Sequence, residues 1–566
     1  MQAETNNPQE HWWAEGDAPV RTKSRVTYFI DGQATMLTMC RYFVKARRYI
    51  YLANWGMTPG MELVRGTDHL GKPGEQEKLV TALRAEGLTE ADIAYWMGGQ
   101  PLSVQNVLAY AVGKGVEVKV LLWKCSNLFS HYNPTEAQRQ LAERGITCIL
   151  DDSSEGLLHH PIESLHQKIS VVDGNYAFVG GVDPLIEKEG EFDRWDTPDH
   201  PFATPLRRTS QETTPHPWHD AHTLIEGPAA ADVETNFRQR WNDVVEHHRM
   251  SKELLIPAHP IPPEVDSPSI VQVVRTIPQH TYHFPPSIIR GIAQVYQKAT
   301  QNIRRFIYLE NQYFWLHAFF GIDLPFAGTD SLEMEQNINN LGQALRNGAA
   351  ATLILPDHPN VGRAFSDEGL ARLRAEAPEA VDEGRLEAFC LGTSMHEQGR
   401  ELYRPIYVHA KVAVIDDAWC TIGSGNLNNR GMADDTELNI AALDSELAQA
   451  LRISLQSEHL GLVQGDDLLA LSRLVGKHYQ SQDEHMYAEQ LLSSLKGKLA
   501  DPLVAMRLMH ECAWDNLKRF QANQPLHGHL LPYLTQEEAQ YQGVPFREEH
   551  GWLESELPPV KQEENL

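Results

Sequence analysis

The sequence predicts an α/β fold of two homologous lobes. Each lobe is a mixed β-sheet flanked by helices, and a pseudo-two-fold relates them with the active site between. Three observations predict this. Strand-like and helix-like periodicities alternate along the chain. The phrase Ala46-Arg47-Arg48-Tyr49-Ile50-Tyr51-Leu52 returns as Ile303-Arg304-Arg305-Phe306-Ile307-Tyr308-Leu309. The spacing H-x-K-x4-D occurs twice, from His166 to Asp173 and from His409 to Asp416. Repetition of an ordered series, rather than of one motif, argues two copies of one unit.

Residues 1–24 are polar and read as an N-terminal extension, with Trp12 and Trp13 able to tuck against the body. The first lobe is expected over 25–256. It opens on a strand at Val26–Ile30, closed by Asp31-Gly32, then a helix to Lys45 with apolar residues at helical spacing. Arg48–Trp55 reads as a buried strand, and Gly115–Leu122 as a strand after a helix. The proline cluster from Pro257 marks a linker, 257–284. The second lobe, 285–464, repeats the order: a helix over Ile289–Thr300, then strands at Arg305–Gln312 and Gly348–Leu355. Residues 465–566 carry no third copy. They read as a mostly helical appendage ending in an acidic tail with Glu554, Glu556, Glu563 and Glu564.

Composition excludes several classes. Among 566 residues, 49 Lys and Arg stand against 76 Asp and Glu, a net charge of −27. Such a charge opposes general nucleic-acid binding and broad adhesion to anionic membranes. No apolar run is long enough to cross a bilayer, and the N-terminus lacks a secretory signal pattern. The chain is therefore read as cytoplasmic by default and monomeric, with signal-independent secretion as the alternative. Six scattered cysteines without a C-x-x-C pair read as reduced thiols.

The paired motifs carry the chemistry. In an extended segment residues i and i+2 share a face, so His166 points with Lys168 and His409 with Lys411. Facing lobes would bring two imidazoles and two ammonium groups around one pocket, which suits a phosphodiester. One neutral histidine attacks phosphorus, and the other, protonated, serves the leaving alcohol. The lysines neutralise the non-bridging oxygens, so no metal or cofactor is required. Each motif is followed by a small-residue turn, Gly180-Gly181-Val182-Asp183 and Gly423-Ser424-Gly425-Asn426. Gly180, Gly181, Ser424 and Asn426 are expected to let backbone approach the phosphate, with Asn426 donating to it. Asp173 and Asp416 fall on the opposite face and are read as structural, holding the turns.

Around these motifs the chain resembles phospholipase D of the eukaryotic type, found also in bacteria. Arg194–Phe202, Pro217–His222, Asn236–Trp241 and Ile307–Phe314 are similar to that family's phrases, and the similarity runs from about Arg25 to about Leu462. The resemblance implies hydrolysis of glycerophospholipids at a membrane surface, giving phosphatidic acid and a free head-group alcohol. A phosphatidyl-histidine intermediate and exchange with small alcohols are part of that implication. His166 maps to the nucleophile and His409 to the acid, then base. The residues alone leave those two roles interchangeable. The family's orienting carboxylates map to Asp220 behind His166 and Glu437 behind His409.

Nothing upstream resembles the lipid-binding domains of plant or animal relatives, which leaves a calcium requirement open. The segment Pro184–Gly190 departs from the family pattern and is expected near the pocket mouth. The rival readings are a phosphodiesterase of the same fold acting on nucleic acid, a cardiolipin synthase-like phosphatidyl transferase, and a catalytically dead membrane-binding relative. The net charge and the intact motifs oppose the first and the last.

Three other signals are set aside. His216, His219 and His222 lie in an extended segment where neighbours alternate faces, so they are not read as a metal site. His159-His160 reads as solvated. The aromatic segment Leu316–Phe326 is either inter-lobe packing or a lip that meets lipid.

Overall fold

The computed structural model describes residues 10–553, apart from 126–131, 157–162, 188–191, 209–214, 286, 318–329, 360 and 549. The expectations for His159-His160, for most of the aromatic segment and for the acidic tail lie outside the described residues.

The central strands show why the fold closes on itself. In Tyr49–Asn54, the residues Tyr49, Tyr51 and Ala53 enter one core, while Ile50 and Leu52 enter another. In Phe306–Asn311, Phe306 and Tyr308 enter the same shared core, and Ile307 and Leu309 a third. Side chains alternate along a strand, so a continuous apolar run has to bury both faces. Helices therefore cover the outer face of each sheet: Asp31–Lys45 and Val104–Gly113 on the first, Gly291–Gln301 and Leu332–Arg346 on the second. The inner faces meet in one core, to which Ala230–His247 and Ser445–His459 contribute Phe237, Trp241, Leu451 and Leu455.

The two sheets have the same plan. The first runs Arg25–Ile30, Ala221–Glu226, Tyr176–Gly180, Ile169–Val172, Tyr49–Asn54, Glu117–Trp123, Thr147–Asp151. The second has Ile270–Ile277, Glu437–Leu443, Trp419–Gly423, Lys411–Ile415, Phe306–Asn311, Ala350–Ile354 and Leu386–Glu397 in the corresponding places. Within each lobe the strand after the histidine motif pairs antiparallel with the repeated strand, Ala53 opposite Ile169 and Asn311 opposite Lys411.

Two segment boundaries differ from the expectation. The stretch 257–284 is not simply a linker, because Ile270–Ile277 pairs with Glu437–Leu443 and is the counterpart of Arg25–Ile30. Its neighbouring prolines hid a strand whose pattern, Ile-Val-Gln-Val-Val-Arg-Thr-Ile, is buried almost throughout. The C-terminal appendage is helical over Gly465–Gly476, Gln482–Leu499 and Pro502–Gln521, yet Leu530–Pro532 returns to pair with Leu386–Glu397 in the second sheet. The N-terminal extension is tied down: Trp12 stacks on Trp419, and the Ala14 amide donates to Gln272. Among the described residues no helix is long and apolar enough to cross a membrane.

Candidate active site

Each H-x-K motif sits at the leading end of a central strand. Regular strand structure begins at Ile169 and at Lys411, so the histidines lie just before it, where the chain passes between the lobes. The His166 amide donates to the Thr436 carbonyl, and Leu165 bridges Thr436 in parallel. The His409 amide donates to the His219 carbonyl, and Tyr407 and Val408 pair in parallel with Trp218 and His219. Each histidine is thus laced to the other lobe. The imidazoles face one another with ring centroids 6.5 Å apart.

That lacing decides which carboxylate stands behind each ring. Thr436 precedes Glu437, and His219 precedes Asp220. His166 Nδ1 lies 2.9 Å from Glu437 Oε1, and His409 Nδ1 lies 2.7 Å from Asp220 Oδ2. The expected assignment, Asp220 with His166 and Glu437 with His409, is therefore corrected: the dyads cross between lobes. A carboxylate on Nδ1 fixes the tautomer that leaves Nε2 to the cavity.

Both histidines line a cavity of ≈ 210 Å³ with Lys168, Asn426, Trp55, Trp218, Gln312 and Arg194. Lys168 Nζ is 3.2 Å from Asp183 Oδ2, an ion pair. Lys411 Nζ has only a neutral amide at the matching place, Gln312 Oε1 at 3.0 Å. The half-sites are alike in backbone and unlike in charge. Arg194 lies over Trp218 at 3.5 Å and pairs with Glu187, which belongs to the segment that departs from the family pattern. Its buried Nη1 has no hydrogen-bond partner among the described residues. Trp55, Asp183, Arg194, Gln312 and Arg430 were not assigned cavity roles from sequence. Arg194 and Gln312 lie in the quoted phrases, whereas Arg430 has no sequence signal.

The electrostatics favour an anion. Burial, with Lys168 and Lys411 beside it, holds His166 well below the usual imidazole value. Burial, Lys411 and Arg194 do the same to His409. Both shifts favour the neutral ring. A bound phosphate diester reverses the cationic contribution and lets one ring take a proton. Burial and Asp435 push Glu437 well above the carboxylate range, so its anion is favoured most when His166 becomes cationic. That is stabilisation of the charge that develops on attack rather than of the ground state.

Burial, with Lys168 nearby and Asp220 opposing, pulls Lys411 down to about 7. Lys411, unlike Lys168, is not on the cavity lining, so its charge reaches the site from just behind it; with that charge favouring an anionic substrate, kcat/KM is expected to fall as pH rises through about 7. A pH profile on a zwitterionic lipid in mixed micelles checks this. A profile flat well above that pH contradicts it.

A family model described as "Phospholipase D" matches residues 42–324, half of the chain, and one described as "Cardiolipin synthase, PLD-like domain" matches 326–458. The chain belongs to the phospholipase D superfamily. "Phospholipase D beta 2" of Arabidopsis thaliana is 25% identical over 86% of this chain and 60% of its own length. "Phospholipase D alpha 1" of Carica papaya is 24% identical over 80% of this chain and 68% of its own. The chain thus spans about two thirds or less of the length of these relatives. A solved phosphatidylserine synthase of Haemophilus influenzae Rd KW20 aligns with a TM-score of 0.43 and 12% identity, covering 85% of this chain and 95% of that one.

Within the phospholipase D superfamily frame, the remaining motif residues separate into two kinds. Of the four turn residues expected at the phosphate only Asn426 lines the cavity, where its Nδ2 donates to Gln312; Asp183, which ends the first turn, lines it as well. Gly180, Gly181 and Ser424 do not line it, which corrects their expected role. A Cβ at Gly181 would collide with the Asp220 carboxylate and one at Gly180 with His222, so these glycines make room for the dyad rather than for phosphate. Ser424 exchanges hydrogen bonds with the Leu438 backbone, holding the strand that starts at Glu437. Asp173 and Asp416, expected to hold the turns, instead grip the start of the neighbouring strand. Asp173 accepts from the amides of Arg47, Arg48 and Tyr49, and Asp416 from those of Arg304, Arg305 and Phe306.

A buried ionic cluster stands behind the His409 half-site. His216, His219 and His222 diverge: His216 packs on Phe192, His222 accepts from the Val182 amide, and His219 turns inward. There His219 Nδ1 lies 3.0 Å from Asp31 Oδ1 and 3.3 Å from Glu458 Oε1. His200 Nε2 lies 3.3 Å from Asp31 Oδ2 and 3.0 Å from the same Glu458 oxygen. One donor atom from each of these four residues lies within 4.8 Å of the others. The far ring nitrogens meet Glu310 at 2.8 Å and Asp196 at 3.1 Å, as outer carboxylates do for metal-bound imidazoles. Asp31, His200, His219 and Glu458 could therefore hold a divalent cation. Sequence spacing had pointed away from a metal because these donors come from four separate segments. Without a cation the contacts hold as ion pairs: against the effect of burial, Asp31, Asp196 and Glu458 raise His200 to about 10. Asp31 also accepts from the Asp220 amide at 3.1 Å, so the cluster buttresses the carboxylate that orients His409.

Proposed function

We propose that the chain is a phospholipase D that hydrolyses glycerophospholipids to phosphatidic acid and a free head-group alcohol. The observation that carries this reading is the pair of facing imidazoles, each backed by a carboxylate from the opposite lobe and flanked by its own lysine. His166 Nε2 attacks phosphorus while the bond to the head-group oxygen breaks, and protonated His409 delivers its proton to that oxygen. His409 then removes a proton from water, whose oxygen displaces His166 from phosphorus. Lys168, Lys411 and Arg194 take up charge on the non-bridging oxygens in both steps. An alcohol in place of water gives head-group exchange. The substrate is taken from a membrane surface by a peripheral, monomeric protein.

The match to a cardiolipin synthase-like model favours phosphatidyl transfer as the second reading, which differs only in the acceptor. Mass spectrometry of products from a phospholipid panel, with and without ethanol, separates the two. Phosphatidic acid from phosphatidylcholine in water, and phosphatidylethanol with ethanol, are the expected products. Intact lipid alongside cut plasmid DNA, or product only with phosphatidylglycerol as acceptor, overturns the reading.

A further inference from the structure

A second cavity, of ≈ 240 Å³, lies on the outer side of the first lobe and shares no lining residue with the catalytic one. Helix Asp31–Lys45 supplies Arg41 and Lys45 to it. Helix Gly465–Gly476, from the C-terminal appendage, supplies Arg473, with Lys477 just beyond its end. In a chain of net charge −27, four cationic side chains here meet a single lining carboxylate, Glu86.

That carboxylate is already committed. Arg41 Nη1 is 2.6 Å from Glu86 Oε1, Arg473 Nη2 is 3.5 Å from the same oxygen, and the Gln480 amide also donates to it; Arg473 Nη1 also pairs with Glu484 at 2.8 Å. Lys45 has no ion pair among the described residues. Its Nζ is 3.4 Å from the Glu86 backbone carbonyl and 3.6 Å from the Tyr42 ring centre. Lys477 reaches only the exposed Asp266, at 3.8 Å, a contact of little strength in water. Among the described residues three lining atoms have no hydrogen-bond partner: Arg41 Nε, in a residue 6% exposed, Thr27 Oγ1, in one 1% exposed, and His478 Nε2, which lies 2.7 Å from Glu226 Oε2 as an ion pair.

Buried polar atoms are ordinarily partnered, and buried cations are ordinarily paired. A cavity whose lining carries more cations than carboxylates, with buried donors left unpartnered, can take an anion. Such a group would accept from a guanidinium edge, a hydroxyl and an ammonium together. Tetrahedral oxyanions meet those conditions, and arginine with lysine is the usual pairing for them. Burial lowers both Arg41 and Lys45; Glu86 opposes this for each, with Glu226 also opposing for Lys45, and a neighbouring arginine adds to the lowering, which an anion in the cavity would offset.

We propose that this cavity binds a phosphate monoester dianion, either free or as the head group of a lipid. The site joins the appendage to the first lobe, so occupancy would tie the two together. The assignment does not rest on the catalytic reading.

Isothermal titration of the full chain with inorganic phosphate and with glycerol 3-phosphate tests it, together with co-sedimentation on phosphatidylcholine vesicles carrying phosphatidic acid or phosphatidylglycerol. Lys45→Met keeps the stem on Tyr42 and removes only the charge. It is expected to weaken binding at this site about tenfold or more, with the melting temperature and lipid turnover unchanged. Arg473→Gln is the second variant. Titration by the soluble phosphates, lost in both variants, supports a free ligand. Recruitment to phosphatidic acid vesicles alone, lost in both, supports the lipid source. Binding in every arm equal between the native chain and both variants overturns the proposal, as does no binding in any arm.

Discussion

Alanine at His166 is expected to lower lipid turnover by about 10⁴-fold or more, and alanine at His409 by about 10²- to 10⁴-fold. The two losses differ in kind. Without His166 no covalent intermediate forms, whatever the leaving group. Without His409 a lipid carrying p-nitrophenol as head group still reacts once, because that leaving group needs no proton, and the intermediate then persists. Stopped-flow absorbance separates these outcomes: a burst in His409→Ala and none in His166→Ala. A burst in His166→Ala with none in His409→Ala would exchange the roles. Turnover unchanged in either variant would remove that residue from the chemistry. Neither ring is part of an apolar core, so thermal melts should stay close to those of the native chain.

The crossed dyads give the second large effect. Asp220→Asn is expected to behave like a weakened His409→Ala, and Glu437→Gln like a weakened His166→Ala, each losing about 10²- to 10⁴-fold. The neutral amide keeps the shape and leaves no carboxylate to balance the imidazolium as it forms. With the p-nitrophenyl lipid, Asp220→Asn should retain its burst and Glu437→Gln should lose it. The reverse pattern would mean that each carboxylate serves the histidine of its own lobe. The distances of 2.7 Å and 2.9 Å across the lobe boundary argue against that.

The mistaken pairing shows where sequence reading stops. Period-two spacing was enough to put His166 with Lys168, and the repeated phrase was enough to align Tyr49–Asn54 with Phe306–Asn311. Those are local facts, set by the backbone of one strand. Which carboxylate meets which ring depends on short parallel bridges between lobes, at Leu165 with Thr436 and Tyr407 with Trp218, and no spacing within a lobe encodes them. The same holds for the buried cluster. Asp31, His200, His219 and Glu458 each read as an ordinary residue in its own segment and acquire meaning only when packed within a few ångströms. Strand Ile270–Ile277 was missed for a different reason, because proline content was given more weight than the alternating Val-Gln-Val-Val pattern beside it.

The central claim is that two half-sites close on one phosphorus atom and that His166 Nε2 bonds to it. Rapid alkaline quench of the His409→Ala variant with a short-chain p-nitrophenyl lipid, followed by peptide mass spectrometry, tests this most directly. The account predicts one phosphatidyl group per chain, on the peptide containing His166. A phosphatidyl group on another residue, or turnover with no adduct and inversion at phosphorus, would contradict it.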